Sequence, residues 1–398
     1  MLVPELRFPE FTGKWNKKEL GQLSKILRGG SPRPIDDFLT KDKNALNWLK
    51  IGDVDKDAKY ISMTQERVKV EALSKTRVVN SGDLIMSNSM SFGRPYIMKI
   101  QSCIHDGWIA VTDVSQSIDV NYLYYFILSD ASQGYFVNSA AGGGIKNLNA
   151  DIVKKTPISY AEDTKEQKKI ADCLSSMDDL ITKNTKKLDS LKLHKKGLMQ
   201  KLFPEEGKSV PELRFSGFNE GWKETKVENV CYLQAGKFVK AANIKSKESD
   251  RLYPCYGGNG LRGFTESFTH DGAYSLIGRQ GALCGNVNFV TGRFHATEHA
   301  VVVEPKENVD NSWLYYELCR LNLNRFATGQ AQPGLSVENL NRVDTFVPKL
   351  KKEQQKISEC LFTIDDLIKN QSKKVEVLKE HKKGLMQRLF PSNEGAIV

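Results

Sequence analysis

The sequence predicts a mixed α/β (α+β) protein in which two related globular domains are joined by two long antiparallel coiled-coil helices, with circular pseudo-two-fold symmetry. Three observations carry this reading. A short segment is repeated at an offset of 207 residues, and a long Lys-rich segment is repeated at an offset of 187. The unlike stretches between them share short apolar runs and glycine-rich turns. At 398 residues, 40% apolar and 27% charged, the chain has room for two or three domains with their own cores.

The elements follow in chain order. Residues 1–15 form an opening segment containing PELRFPEFTGKW (4–15), which returns as PELRFSGFNEGW at 211–222. Residues 16–160 form the first globular domain, and 161–222 the central helix with its connector. Residues 223–350 form the second domain, 351–391 the second helix, and 392–398 a tail. The long repeat occupies 165–204 and 352–391, with 25 of 40 positions identical. In mid-chain it leads into PELRF; at the chain ends the same module is split. Joining Val398 to Met1 would rebuild it, which predicts neighbouring termini. Between the repeats, LYY at 123–125 parallels LYY at 314–316, and NLN at 147–149 parallels NLN at 339–341.

Each long repeat spaces its apolar residues alternately four and three apart, the coiled-coil period. The first seam comprises Ile170, Leu174, Met177, Ile181, Leu188 and Leu191; the second comprises Ile357, Leu361, Ile364, Ile368, Val375 and Leu378. Asn184 and Gln371 hold matched core positions, where a polar group costs stability and fixes register. Lys195 and Lys382 interrupt both seams and read as fraying or a partner contact. Seven cysteines are scattered without a CxxC pair. That pattern belongs to a reducing compartment and excludes a disulfide frame or zinc knuckle. The start, MLVPELRFPEF, shows no signal region, and no run approaches the ~18 apolar residues of a membrane span. The expected location is the cytoplasm.

Both domains are rich in loops dense with hydrogen-bond donors. VVNSGDLIMSNSMSFGRPYIMKI (78–100) and GAYSLIGRQGALCGNVNFV (272–290) read as strands around equivalent loops, with Gly93 matching Gly285. The first loop presents Ser87, Asn88, Ser89, Ser91 and Arg94; the second presents Arg279, Gln280 and Asn286. Arg suits guanine edges, and Asn or Gln suits adenine. Glycine clusters suit close approach to a phosphate backbone. RGGSPRP (28–34) carries Arg28, Ser31 and Arg33, and AAGGGIKNLN (140–149) carries Lys146 and Asn147. YGGNGLRGF (256–264) carries Tyr256, Asn259 and Arg262, and TGQAQPGLS (328–336) carries Gln330 and Gln332. HATEH at 295–299 matches an HxxEH peptidase pattern, but it lies in a strand-like run leading into VVV. His295 is therefore a candidate DNA contact, and no metal site is expected. No GxxxxGK[ST] loop and no GxGxxG opening a helix occurs.

The net charge is +10, but the variable stretches 16–164 and 223–351 hold only +2 and +3 of it. The helices 165–203 and 352–390 hold +5 and +3. Bulk charge permits a nucleic-acid partner and does not by itself identify one.

Two unlike domains, each followed by a near-duplicate helix ending HKKGLMQ(K/R)LFP and each preceded by PELRF…F…W, resemble the specificity subunit of a type I restriction–modification system. The resemblance covers essentially the whole chain. It implies that 16–160 and 223–350 are target recognition domains, each reading one half of a bipartite, asymmetric double-stranded DNA site. It implies that the helices set the spacer and dock two methyltransferase (modification) subunits, through which restriction (translocase/nuclease) subunits join. It also implies that this chain is not an enzyme and binds no cofactor. Adenine-N6 methylation from S-adenosylmethionine and cleavage driven by ATP with Mg would belong to the partners. A self-sufficient enzyme would need methylase and nuclease motifs, which the sequence lacks. A coiled-coil scaffold or adaptor without sequence-specific DNA binding is the other reading, and salt-dependent duplex binding separates it.

Overall fold

The computed structural model describes residues 3–88, 92–140, 148–281, 283–329 and 333–391. The chain divides into two compact units, Met1–Asn184 with Lys374–Val398, and Thr185–Lys373. The long repeats form helices Thr164–Lys201 and Lys351–Leu389. Each unit therefore holds one globular head, the N-terminal part of the helix that follows it, and the C-terminal part of the other helix.

In the first unit, Trp15–Glu19 pairs antiparallel with Pro157–Ala161, so the head is closed where the chain joins it. A five-stranded sheet runs Lys25–Arg28, Trp108–Thr112, Leu84–Ser87, Pro95–Met98, Tyr60–Ile61. Its inner strands are buried on both faces, which is why they read as apolar runs such as WIAVT. Alternate residues go to different cores: Leu84, Met86, Ile109 and Val111 pack with helix Val120–Leu128, while Ile85, Trp108 and Ala110 pack on the other side. A second five-stranded sheet runs Leu39–Thr40, Glu66–Val68, Leu46–Leu49, Ser102–Ile104, Arg77–Val79.

In the second unit, Lys223–Lys226 pairs antiparallel with Asp344–Val347. One six-stranded sheet runs Cys231–Ala235, Ala300–Pro305, His270–Gly278, Val287–Ala296, Tyr253–Gly257, Gly260–Thr265. Helix Asn311–Arg320 covers one face, and among the described residues there is no counterpart of the first head's second sheet.

The same latch closes both heads. Arg7 donates from Nε and Nη2 to the two oxygens of Glu166 at 2.7 Å each, and Trp15 Nε1 donates to Glu166 at 3.3 Å. Arg214 donates to both oxygens of Glu353 at 2.7 and 2.9 Å, with Trp222 Nε1 at 3.2 Å. Both carboxylates are buried. One residue further, Gln167 accepts the Asp119 N–H at 2.9 Å and donates to the Ser117 and Ala161 carbonyls, both at 2.8 Å. Gln354 does the same with Asp310, Asn308 and Pro348 at 2.7, 3.3 and 3.1 Å. Asp119 and Asp310 are the N-caps of the two head helices. Leu6 donates its N–H to Arg388 O, and Leu213 to Lys201 O, both at 2.8 Å. The opening segment thus meets the end of the second long helix as the connector meets the end of the first. Met1 and Val398 themselves lie outside the described residues.

The seam residues face inward. Ile170, Leu174, Leu188, Ile357, Leu361 and Val375 are buried; Met177, Ile181, Leu191, Ile364, Ile368 and Leu378 are partly so. Ile170 and Leu174 share a core with Leu389 and Phe390, and Leu202 and Phe203 share one with Ile357 and Leu361. The helix parts therefore run antiparallel within each unit and merge with the heads. Asn184 donates to the Leu180 carbonyl at 2.7 Å, and Gln371 is buried.

Two expectations are corrected. Lys195 and Lys382 are not points of fraying. Lys195 Nζ lies 2.6 Å from Asp365, which also accepts from the Tyr316 hydroxyl at 2.8 Å. Lys382 lies 2.5 Å from Asp178, which accepts from Tyr125 at 2.7 Å. The long lysine stem reaches a carboxylate on the facing helix, so the break in apolarity is a repeated ion pair. NLN at 339–341 is not the counterpart of NLN at 147–149. Asn149 caps helix Ala150–Lys154, whereas Ser336 caps Val337–Asn341, so Leu335–Ser336 matches Leu148–Asn149. The LYY match stands, because Tyr125 and Tyr316 meet equivalent aspartates.

Cysteines 103, 173, 231, 255, 284, 319 and 360 are unpaired thiols; burial pushes Cys231 up to about 12 and Cys103 up to about 11. No helix among the described residues is long and apolar enough to cross a membrane.

Replacing Glu353 by Ala would leave the half-buried Arg214 guanidinium with the Glu220 carbonyl alone and the buried Trp222 N–H without its acceptor. The expected loss is about 3–5 kcal/mol, read as a lowered melting temperature; an unchanged melting curve would show that the latch is dispensable.

Candidate nucleic-acid interface

The donor-rich loops of each head are knitted together by main-chain hydrogen bonds, and the pattern is the same twice. Gly29 donates its N–H to Trp108 O at 2.8 Å, as Gly236 does to Ala300 O at 2.9 Å. Ser87 and Arg94 close the first hairpin loop with Ser87 N–H to Arg94 O at 3.1 Å and Gly93 N–H to Ser87 O at 2.9 Å. Gly278 takes the role of Ser87, donating to Asn286 O at 2.9 Å and accepting from Gly285 N–H at 2.8 Å. Asn88 N–H reaches Gly107 O at 3.0 Å, and Arg279 N–H reaches His299 O at 2.9 Å. Leu148 N–H then meets Asn88 O, and Leu335 N–H meets Arg279 O, both at 2.8 Å. In each head, four segments far apart in sequence are therefore joined: two loops bond the turn His105–Trp108 or Thr297–Ala300, and the fourth segment bonds one of those loops.

Glycine is required in this frame. Gly93 and Gly285 have φ of 69° and 86°, in the left-handed region. A Cβ on Gly29 would stand 2.1 Å from His105 O, and one on Gly236 would stand 2.3 Å from Thr297 O.

In the first head, Arg28, Ser31, Arg33 and Asn88 converge on Asp106. The Arg28 Nε and Asn88 Nδ2 donate to its carbonyl at 3.3 and 3.0 Å. The Ser31 hydroxyl donates to Oδ1 at 3.0 Å, and Arg33 Nη2 donates to Oδ2 at 3.4 Å. Arg28 and Arg33 are exposed, whereas Ser87 and Asn88 are buried and hold the loop from within. Arg94 is half-buried over the Tyr96 ring at 5.9 Å and lies 3.9 Å from Asp57.

In the second head, Asn259, Arg262, Gln280 and Asn286 are exposed. Asn259, Arg262 and Gln280 line a cleft of about 360 Å³ with Gly257, Gly258, Gly281 and His299. The hairpin tip at Gly258–Asn259 and the Arg279–Gly281 loop form its walls. Arg279 is half-buried and donates to the Leu335 and Glu298 carbonyls, both at 3.4 Å, so it braces two loops. Tyr256 is half-buried with its ring edge-on to Phe294 at 5.9 Å. His295 is buried, its Nε2 3.1 Å from the Lys237 carbonyl and its Nδ1 3.4 Å from the Ser267 hydroxyl. Alternation places it on the face opposite the core residues Phe294 and Ala296, where the Lys237 and Ser267 segments cover it, so it does not reach outward. Ser89, Ser91, Lys146, Asn147, Gln330 and Gln332 lie outside the described residues.

The sequence reading missed His105, Asp106, Glu298 and His299. His105 Nδ1 lies 3.0 Å from Asp106, and His299 Nε2 lies 3.2 Å from Glu298. Their signal was an acid beside a histidine, HD and EH, just before the apolar strands that begin at Trp108 and Ala300. Among the described residues no group of three or more His, Cys, Asp or Glu could hold a metal ion.

A protein-family model described as the type I restriction modification DNA specificity domain matches residues 12–193 and again 219–380. The type I restriction enzyme EcoprrI specificity subunit of Escherichia coli is 27% identical over 320 residues, 77% of this chain and 77% of that protein. The MjaVIII specificity subunit of Methanocaldococcus jannaschii is 24% identical over 421 residues, 97% of this chain and 93% of that one. In fold, the crystal structure of the type I restriction–modification S subunit from M. genitalium matches with a TM-score of 0.66 at 16% identity, over 98% of this chain and 99% of that one. A chain from a structural study of type I R-M complex assembly and conformational transition matches with a TM-score of 0.59 at 16% identity, over 96% and 100%.

Gly29→Ala and Gly236→Ala each drive a methyl group into a backbone carbonyl that cannot rotate away. Each is expected to cost about 3 kcal/mol and to speed amide exchange in the four joined segments of its own head only. Wild-type exchange in those segments would show the frame to be looser than the geometry states.

Proposed function

Because the chain belongs to the type I restriction–modification DNA specificity family and is a DNA sequence-specificity subunit with two recognition domains, we propose that each head reads one half of a bipartite DNA site through its knitted loops. The observation that carries this is the repeated loop frame bearing unlike side chains. The frame supplies one docking geometry twice, and the side chains supply two different readings. In the first head Arg28, Ser31 and Arg33 face the duplex, with His105 beside them. In the second head Asn259, Arg262, Gln280, Asn286 and His299 do so. Arg offers bidentate donors to guanine, and Asn and Gln pair with adenine, each good contact carrying about 1–3 kcal/mol of discrimination.

The paired helices act as the spacer. A stiff antiparallel pair fixes the distance and phase of two readers along a duplex, as half-site spacing does for dimeric binders. The exposed lysines of both helices and the cleft of about 820 Å³ beside Lys192, Lys196, Met199 and Arg320 offer docking surface for methyltransferase subunits. Restriction subunits join through those, and the complex works in the cytoplasm. In this division of labour S-adenosylmethionine, ATP and Mg belong to the partners, and this chain holds none of them.

A map of methylated bases in DNA from cells expressing this chain with its methyltransferase tests the reading at once. A bipartite motif is expected; replacing Arg262 and Gln280 by Ala should relax one half only. Relaxation of both halves would refute one head per half-site. Removing a matched heptad from both helices shortens the span by about 10 Å, so the gap should shrink by about three base pairs.

A further inference from the structure

Resting on that reading of the heads, we infer that Asp106 and Glu298 are positioning residues that set specificity. Asp106 organises donors of its head, and each acid weakens the attraction of its face for phosphate. The two acids stand at equivalent places, on turns closed by Trp108 N–H to His105 O at 3.0 Å and by Ala300 N–H to Thr297 O at 2.9 Å. These are the turns on which the loops of each head converge. Asp106 gathers Arg28, Ser31, Arg33 and Asn88, within 3.0 to 3.4 Å of its carboxylate or carbonyl. Glu298 approaches His299 at 3.2 Å through Oε1 and accepts from Arg279 at its carbonyl at 3.4 Å. Its Oε2 has no hydrogen-bond partner among the described residues.

Neither acid is sealed away. Their side chains are 27% and 32% exposed, and the Arg33 side chain beside Asp106 is 82% exposed. A negative charge on such a face repels a phosphate backbone, and that of Asp106 also holds the neighbouring Arg33 guanidinium. Phosphate contacts supply affinity for any sequence, whereas base edges supply discrimination. A central carboxylate therefore lowers the first and preserves the geometry of the second.

The test uses the full chain in complex with its methyltransferase partner, titrated with a random duplex and with a duplex carrying the mapped site. Asp106→Asn and Glu298→Gln keep the shape of the side chain and remove its charge. Each is expected to tighten random-duplex binding roughly threefold to tenfold and so to lower the ratio of random to cognate Kd. A merely structural role would weaken both duplexes. Random-duplex binding that is unchanged or weaker overturns the inference, whatever happens at the cognate site. If Asp106→Asn melts early, Glu298→Gln on the other head decides alone. Wild-type complex that binds neither duplex would instead refute the reading of the heads as DNA readers.

Discussion

A buried carboxylate at the start of each long helix cannot stay charged without donors, and meeting that demand sets the path of the chain. Glu166 is met by Arg7 and Trp15, which lie 159 and 151 residues earlier; Glu353 is met by Arg214 and Trp222, 139 and 131 residues earlier. Each latch brings the segment before a head to the helix after it, so a head of any internal design is closed at the same place. The glutamine that follows each glutamate extends the latch to the capped helix of the head. Removing the glutamate takes the shared acceptor from both the guanidinium and the indole N–H, so the cluster depends on it most.

The heads obey a looser rule. Five strands and a covering helix recur in both, and the main-chain bonds between loops recur almost atom for atom. Side chains within the frame do not. The first head presents arginines around an aspartate; the second presents amides and an arginine around a cleft. Backbone hydrogen bonds are indifferent to side-chain identity. The frame can thus be held while the chemistry on it changes.

What was legible in the sequence follows the same division. The seam of each helix is a periodic signal, and Ile170, Leu174, Ile357 and Leu361 lie where the period of 3.5 puts them. The equivalence of the two hairpin loops was visible in Gly93 and Gly285, because a left-handed turn restricts the residue there. The roles of Lys195 and Lys382 were not visible, since their partners Asp365 and Asp178 lie on the other helix and pairing across helices leaves no local pattern. His295 misled because exposure depends on which face of a strand is covered, and the HATEH run alone does not fix that. Asp106 and Glu298 were hidden for a related reason: their neighbours are assembled from loops some 20 to 78 residues away.

The division of the chain also bears on how it is made. The second unit, Thr185–Lys373, is one continuous stretch; the first needs both Met1–Asn184 and Lys374–Val398. On a ribosome, the head encoded second is therefore the first able to complete its core. The head encoded first waits with Ile170 and Leu174 uncovered until Leu385, Leu389 and Phe390 emerge to pack with them. During that interval an apolar strip lies open, a hazard for association between nascent chains. The head begun first is thus completed by residues made after the whole of the second head.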